Sequence, residues 1–192
     1  MPMTVEEAIN QVSVAYEPAR EAAIAIIPDG LCLEIGVSTG RYTRVIAEMI
    51  KPRTYYGFDS FEGLPERWND ESPAGSFKCD PPNDLPANVE LVIGMFQNTL
   101  KPFLERNQKP VAWVHFDADL YSSTKYVLTA LKGHLAKDAI FMFDQITAGL
   151  SRRAHEGRAM QEFVDETQCQ WEVIGRQKRD GAIFKINEIQ GN

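Results

Sequence analysis

The chain has 192 residues, 44% hydrophobic and 24% charged, the composition of one globular domain long enough to bury a sizeable core. Lys and Arg number 20 against 27 Asp and Glu, a net charge of −7, so the basic footprint that neutralises phosphates is missing and a nucleic-acid partner is not expected. The longest apolar stretches, Ala22–Ile27 and Val111–Val114, fall far short of the ~20 residues a membrane span needs.

The amino terminus carries two glutamates and no apolar stretch, so it does not read as a signal peptide. Thr4 and Glu7 match a capping box. Val5, Ala8, Ile9, Val12 and Tyr16 follow at helical spacing. Pro18 suits the first turn of a second helix, which ends at Pro28-Asp29-Gly30. Strands and helices then alternate. Leu31–Ile35, Thr54–Phe58, Val89–Ile93, Val111–Phe116 and Ala139–Phe143 read as strands. Arg41–Ile50, Phe96–Arg106, Ser122–His134 and Glu156–Glu166 read as helices, with Pro102 near a first turn or at a bend and Ser122 or Ser123 as a cap. Trp171–Ile174 and Ala182–Ile186 are strands joined by the polar turn Arg176–Gly181, too short a link for a crossover, so they pair antiparallel.

This order predicts a Rossmann-like α/β fold: a doubly wound, mostly parallel sheet with an antiparallel end and helices on both faces. Residues 1–29 are expected as a helical segment packed on a domain of residues 30–192, or on a second copy in a homo-oligomer. Two stretches lack periodicity. Asp59–Asn88 is rich in Gly and Pro, and Thr147–His155 carries Arg152-Arg153; long loops of this kind are binding loops, lids or disorder. Cys32, Cys79 and Cys169 are odd in number and show no CxxC spacing. That argues against a disulfide framework or zinc site and for a reducing, cytoplasmic setting.

The chemistry gathers where strands end. Glu34-Ile35-Gly36-Val37-Ser38-Thr39-Gly40 lies between a strand and a helix, where glycines allow a sharp turn and close approach of a ligand to backbone N–H groups. Two glycines making a tight turn is the plain alternative. Asp59 ends the next strand, where an acid accepts ribose hydroxyls in nucleotide-binding sheets; a turn or cap aspartate would look the same. Together they point to an adenosine-type ligand, with NAD and S-adenosylmethionine both open. Asp117, Asp119, Asp144 and Gln145 follow two further strands, so three carboxylates and an amide converge either as oxygen ligands for Mg²⁺ or as loop caps. His155 is a candidate base or a solvated loop histidine. His115 reads as a core residue, and Trp68 as a cover over a ligand or a side chain packed on the sheet.

Four blocks carry a resemblance: Leu33 to Gly40, Gly57-Phe58-Asp59-Ser60-Phe61-Glu62-Gly63-Leu64-Pro65, Gly94-Met95-Phe96, and His115 to Thr124. With them the chain resembles class I S-adenosylmethionine-dependent methyltransferases of the macrocin O-methyltransferase-like family. The resemblance implies seven strands with the last inserted antiparallel. It implies that Gly36 and Gly40 border the cofactor, that Asp59 takes the ribose hydroxyls and that Met95-Phe96 lies by the adenine; Glu34, Ser38, Ser60, Phe61 and Asp117 complete the expected cofactor set. It implies Mg²⁺ held by Asp119, Asp144 and the position of Gln145, where relatives carry a second acid, and an amino terminus shorter than in relatives with a substrate lid there. Asp117, Asp119 and His155 are the candidates for proton acceptor. The expected activity is O-methylation of a sugar or natural-product hydroxyl. A cofactor-binding protein of little activity, or an NAD-dependent oxidoreductase on the same type of sheet, are the alternatives.

Overall fold

A computed structural model of the chain describes residues 3–12, 16–147, 155–176 and 180–188. Its strands are β1 (Leu31–Ile35), β2 (Tyr55–Asp59), β3 (Val89–Ile93), β4 (Val111–Phe116), β5 (Leu135–Phe143), β6 (Gln170–Arg176) and β7 (Ala182–Glu188). They form one sheet in the order β3-β2-β1-β4-β5-β7-β6. The first five pair in parallel. β7 lies antiparallel between β5 and β6. The Rossmann-like sheet with its inserted antiparallel strand is therefore as expected.

Alternation of side chains along apolar strands puts helices on both faces. Leu33 and Ile35, Val114 and Phe116, Phe141 and Phe143 point to one face, where α1 (Val5–Gln11), α4 (Phe96–Arg106), α5 (Tyr121–Leu131) and α6 (His155–Thr167) supply Ile9, Phe103, Leu128 and Phe163. Cys32, Trp113, Ile140 and Met142 point to the other, covered by Ala23 of α2 (Tyr16–Ala25) and Ile46 and Ala47 of α3 (Arg41–Met49). Each such large side chain stabilises the fold by about 1.5–3 kcal/mol. Phe116 and Phe143 stack with centroids 4.5 Å apart, which ties the ends of β4 and β5 together beneath Asp117 and Asp144.

Four local expectations change. α1 stops at Gln11, Val12 is extended, and Tyr16 opens α2 instead of closing α1. Pro102 lies inside α4, beyond the first turn; Pro102, Asn98 and Lys101 are exposed, so water can satisfy the carbonyl the proline leaves free. β5 starts at Leu135, four residues early. Its first part pairs with Val111 and a bulge at Asp138, in the left-handed region, absorbs the extra residues before Ile140 meets Trp113. Neither Ser122 nor Ser123 caps α5, whose N-cap position is Leu120 and offers no side-chain hydrogen bond. α1 docks on α6 through Val5 N–H, which donates to Gln161 Oε1 at 2.8 Å. α2 lies against β6 and β7. Among the described residues no helix is long and apolar enough to cross a membrane.

Candidate functional site

β1 has β2 on one side and β4 on the other, so the order in which strands are added to the sheet reverses there and the strand ends open a crevice. A cavity of about 280 Å³ occupies it, lined by Gly36, Ser38, Asp59, Ser60, Met95, Phe96, Asp117, Asp119 and Gln145, and on a further side by Gly63, Leu64, Pro65, Trp68 and Phe77. Nine of the residues proposed from sequence thus meet in one place. Glu34, Gly40, Phe61, Asp144 and His155 do not line it.

The loop after β1 is shaped by two constraints. Gly36 has φ 94°, and a Cβ on it would meet the Asp117 carbonyl oxygen at 2.1 Å, so the close approach its lack of side chain permits is to the end of β4. The second constraint is Asp59. Its Oδ2 accepts from Val37 N–H and Ser38 N–H, both at 2.8 Å, and its Oδ1 from Phe61 N–H at 2.8 Å. A carboxylate offers about four lone-pair sites, so Asp59 braces the loop and retains one acceptor site toward the cavity. Gly40 caps α3 in the left-handed region, and Phe61 is buried.

Glu34 is set beneath the loop. Its Oε2 accepts from Thr43 Oγ1 at 2.5 Å and its Oε1 lies 3.0 Å from His115 Nδ1. Both partners are fully buried. Burial opposes a charge on His115, but the hydrogen bond and charge of Glu34 outweigh it and raise its pKa. Glu34 and His115 therefore form an interior pair that anchors α3 to β1 and β4; Glu34 is a support of the loop and not a wall of the cavity.

The acids at the ends of β4 and β5 repel one another. Burial, together with Asp144, pushes Asp117 up to about 7 even though His115 opposes it, and burial with Asp117 and Asp144 pushes Asp119 up to about 7. Asp119 sits at φ 60°, the left-handed conformation Asp tolerates, which turns the chain into α5. A fourth acid, unforeseen from sequence, backs this turn. Glu156, at the start of α6, is 1% exposed. Its Oε1 faces Ala118 N–H and Thr124 Oγ1, each at 3.4 Å, and its Oε2 has no partner. Burial, Asp117 and Asp119 raise its pKa far above the usual carboxylate value. A glutamate in a first helical turn gives no sequence signal of this, because it is the ordinary complement to the helix dipole.

His155 is placed elsewhere than expected. Its Nδ1 faces Tyr121 N–H at 3.4 Å, supplying from α6 the cap that α5 lacks. Burial lowers its pKa, with the charge of Glu66 opposing, and its Nδ1 is the ring nitrogen turned to Tyr121. His155 lines a second cleft of about 860 Å³, with Tyr121, Glu66, Arg67, Arg158 and Ile146. The two clefts are neighbours along the chain, because Pro65 and Gln145 line the first while Glu66 and Ile146 line the second. Arg152, Arg153, Lys178 and Arg179 lie outside the described residues.

Among the described residues no three acids, histidines or cysteines converge as a metal site. Asp119, Asp144 and Gln145 offer two carboxylates and one amide oxygen.

A family model described as a methyltransferase domain matches residues 33–146, more than half of the chain and the whole run from the glycine loop to Gln145. The chain belongs to this methyltransferase family. Its fold is that of solved methyltransferases. A crystal structure of CalS11, a calicheamicin methyltransferase, superposes with a TM-score of 0.69 at 24% identity, covering 88% of this chain and 76% of that one. The O-methyltransferase NovP gives 0.61 at 20% identity, covering 90% and 79%. An O-methyltransferase from Bacillus cereus, in complex with SAH, gives 0.57 at 13% identity, covering 98% and 93%. No curated protein matches the chain significantly.

Proposed function

We propose that this methyltransferase uses S-adenosylmethionine to methylate a hydroxyl of a small molecule of the sugar or natural-product kind, as a member of the macrocin O-methyltransferase-like group. The observation that carries the reading is the single cavity in which the braced glycine loop and Asp59 face Asp117 and Asp119. One end suits a nucleoside, with the spare lone pair of Asp59 for a ribose hydroxyl and Met95 and Phe96 as apolar walls for adenine. The other end holds the carboxyls that O-methylation needs. The neighbour CalS11, described in its unliganded form as a TDP-rhamnose 3'-O-methyltransferase, supports a sugar hydroxyl as acceptor. The wider second cleft is the space this reading assigns to the body of the acceptor.

S-adenosylmethionine, when bound, supplies an electrophilic methyl group on a sulfonium, and Mg²⁺ supplies positive charge that acidifies and orients a hydroxyl. The donor set fits such an ion: Mg²⁺ binds through one or two carboxylates and keeps several waters, and a cation would relieve the repulsion among Asp117, Asp119 and Asp144. Asp119, Asp144 and the Gln145 oxygen would hold it, with one less negative charge than an all-acid set. The protein's own work is to hold the acceptor oxygen in line with the methyl carbon and to take its proton. Asp117, pushed up to about 7, has the basicity a proton acceptor needs near neutral pH; Asp119, also pushed up to about 7, has it only while it holds no cation. His155 lines the cleft assigned to the acceptor.

Calorimetric titration with S-adenosylhomocysteine, with and without Mg²⁺, tests the reading. Micromolar binding is expected, followed by methyl transfer to polyhydroxylated acceptors that EDTA suppresses. No heat of binding overturns it. Binding without transfer to any acceptor leaves a cofactor-binding protein, the reading that the neutral Gln145 favours.

A further inference from the structure

The loop after β2 is an ordered flap. It folds back on itself, with Leu64 N–H donating to Ser76 O at 2.8 Å, Gly75 N–H to Leu64 O at 2.8 Å and Trp68 N–H to Ser72 O at 3.0 Å. Gly63 allows the close packing, since a Cβ there would lie 2.5 Å from Gly75 O. Two side chains tie the flap down: Ser122 Oγ donates to Glu66 Oε1, and Arg44 pairs with Asp84. Its conformation is thus set by its own bonds.

Two aromatic residues stand out on this flap. Phe77 is 52% exposed and sits at φ 65°, a left-handed conformation that is a genuine outlier for a bulky residue. Its ring meets the Trp68 ring edge-on, centroids 6.4 Å apart. Both line the same cavity as Asp59, Ser60, Met95 and Phe96. Apart from that edge contact with Trp68, the protein leaves this apolar ring half in solvent and in a strained conformation. Strain of this kind persists at ligand contacts. The flap also springs directly from Asp59 and Ser60, so its rings share a cavity with the group assigned to the ribose.

We infer that Trp68 and Phe77 are ligand-contact residues, an aromatic wall that packs against the adenosine part of the methyl donor. This rests on the reading of the cavity as the methyl donor's site. A flat heterocycle is the ligand such a wall suits, with Met95 and Phe96 as its other apolar walls.

The chain provides its own reporter. Of its three tryptophans, Trp113 is fully buried in the sheet and Trp171 packs on Phe184 at the far edge, so only Trp68 lines the cavity. Wild type and Trp68→Phe are titrated with S-adenosylhomocysteine, following tryptophan fluorescence and heat in parallel. Trp68→Ala and Phe77→Ala are titrated by calorimetry. Wild-type fluorescence should change with saturation, and Trp68→Phe should bind without the change. The two alanine variants should keep their melting temperatures and weaken binding by about tenfold, the size of one base–aromatic stacking contact. A fluorescence change that survives in Trp68→Phe, or alanine variants that bind like wild type, would overturn the inference while leaving the cavity's reading intact. No heat with the wild type overturns both.

Discussion

Glu156→Gln should make the protein more stable as pH rises. The wild-type carboxyl is buried, and burial with the charges of Asp117 and Asp119 holds its proton on in the folded state. In the unfolded chain it ionises near the ordinary glutamate value, about 4.3. The folded state therefore binds the extra proton. Stability from this group is complete below the unfolded pKa and falls as pH rises toward the folded one, by about 1.4 kcal/mol per pH unit. Over two units above pH 5 that is up to about 3 kcal/mol. Glutamine keeps an oxygen for Ala118 N–H and Thr124 Oγ1 and has no proton to lose. The variant should match wild type near pH 4.5 and gain with pH, raising Tm by about 2–4 °C for each kcal/mol in a domain of this size. Urea unfolding of both proteins from pH 4.5 to 8 measures the difference. Asp117 and Asp119 contribute a slope of the same sign to both, so the difference isolates Glu156. Parallel curves across the range would refute the claim that Glu156 is held protonated.

Other outcomes follow from the same geometry. Gly36→Ala should fail to reach the native melting temperature, because its Cβ would overlap the Asp117 carbonyl at 2.1 Å; circular-dichroism melting decides. Asp59→Ala should weaken S-adenosylhomocysteine binding by more than about tenfold, since three N–H groups lose a charged acceptor, each such bond being worth about 1.5–3 kcal/mol; calorimetry within twofold of wild type would refute it. Asp144→Ala should lose turnover yet keep cofactor affinity, and equal loss of both would make Asp144 a cofactor or fold residue. His155→Ala should lower stability by about 1 kcal/mol through the lost α5 cap while leaving the pH–rate profile in place; a vanished acidic limb would restore His155 as the proton acceptor.

The sheet was legible in the sequence because its signal is local. Apolar runs such as Val111–Phe116 and Ala139–Phe143 alternate with helical periods, and a short polar link between the last two strands forces them antiparallel. Gly36, Asp59, Asp117 and Asp119 were legible because strand ends are where such sheets bind ligands. What each residue does there was decided by contacts across many positions. Asp59 is both brace and candidate ribose ligand because the loop of β1 folds onto the end of β2. Gly36 is required by the approach of β4, 81 residues on from it. His155 is a cap because α6 begins against the start of α5. Glu156 became a buried acid, and Phe77 an exposed ring, only when the chain closed around one crevice. Periodicity records which side of an element is buried; the partner that buries it, and the pKa or strain that results, exist only in the assembled structure.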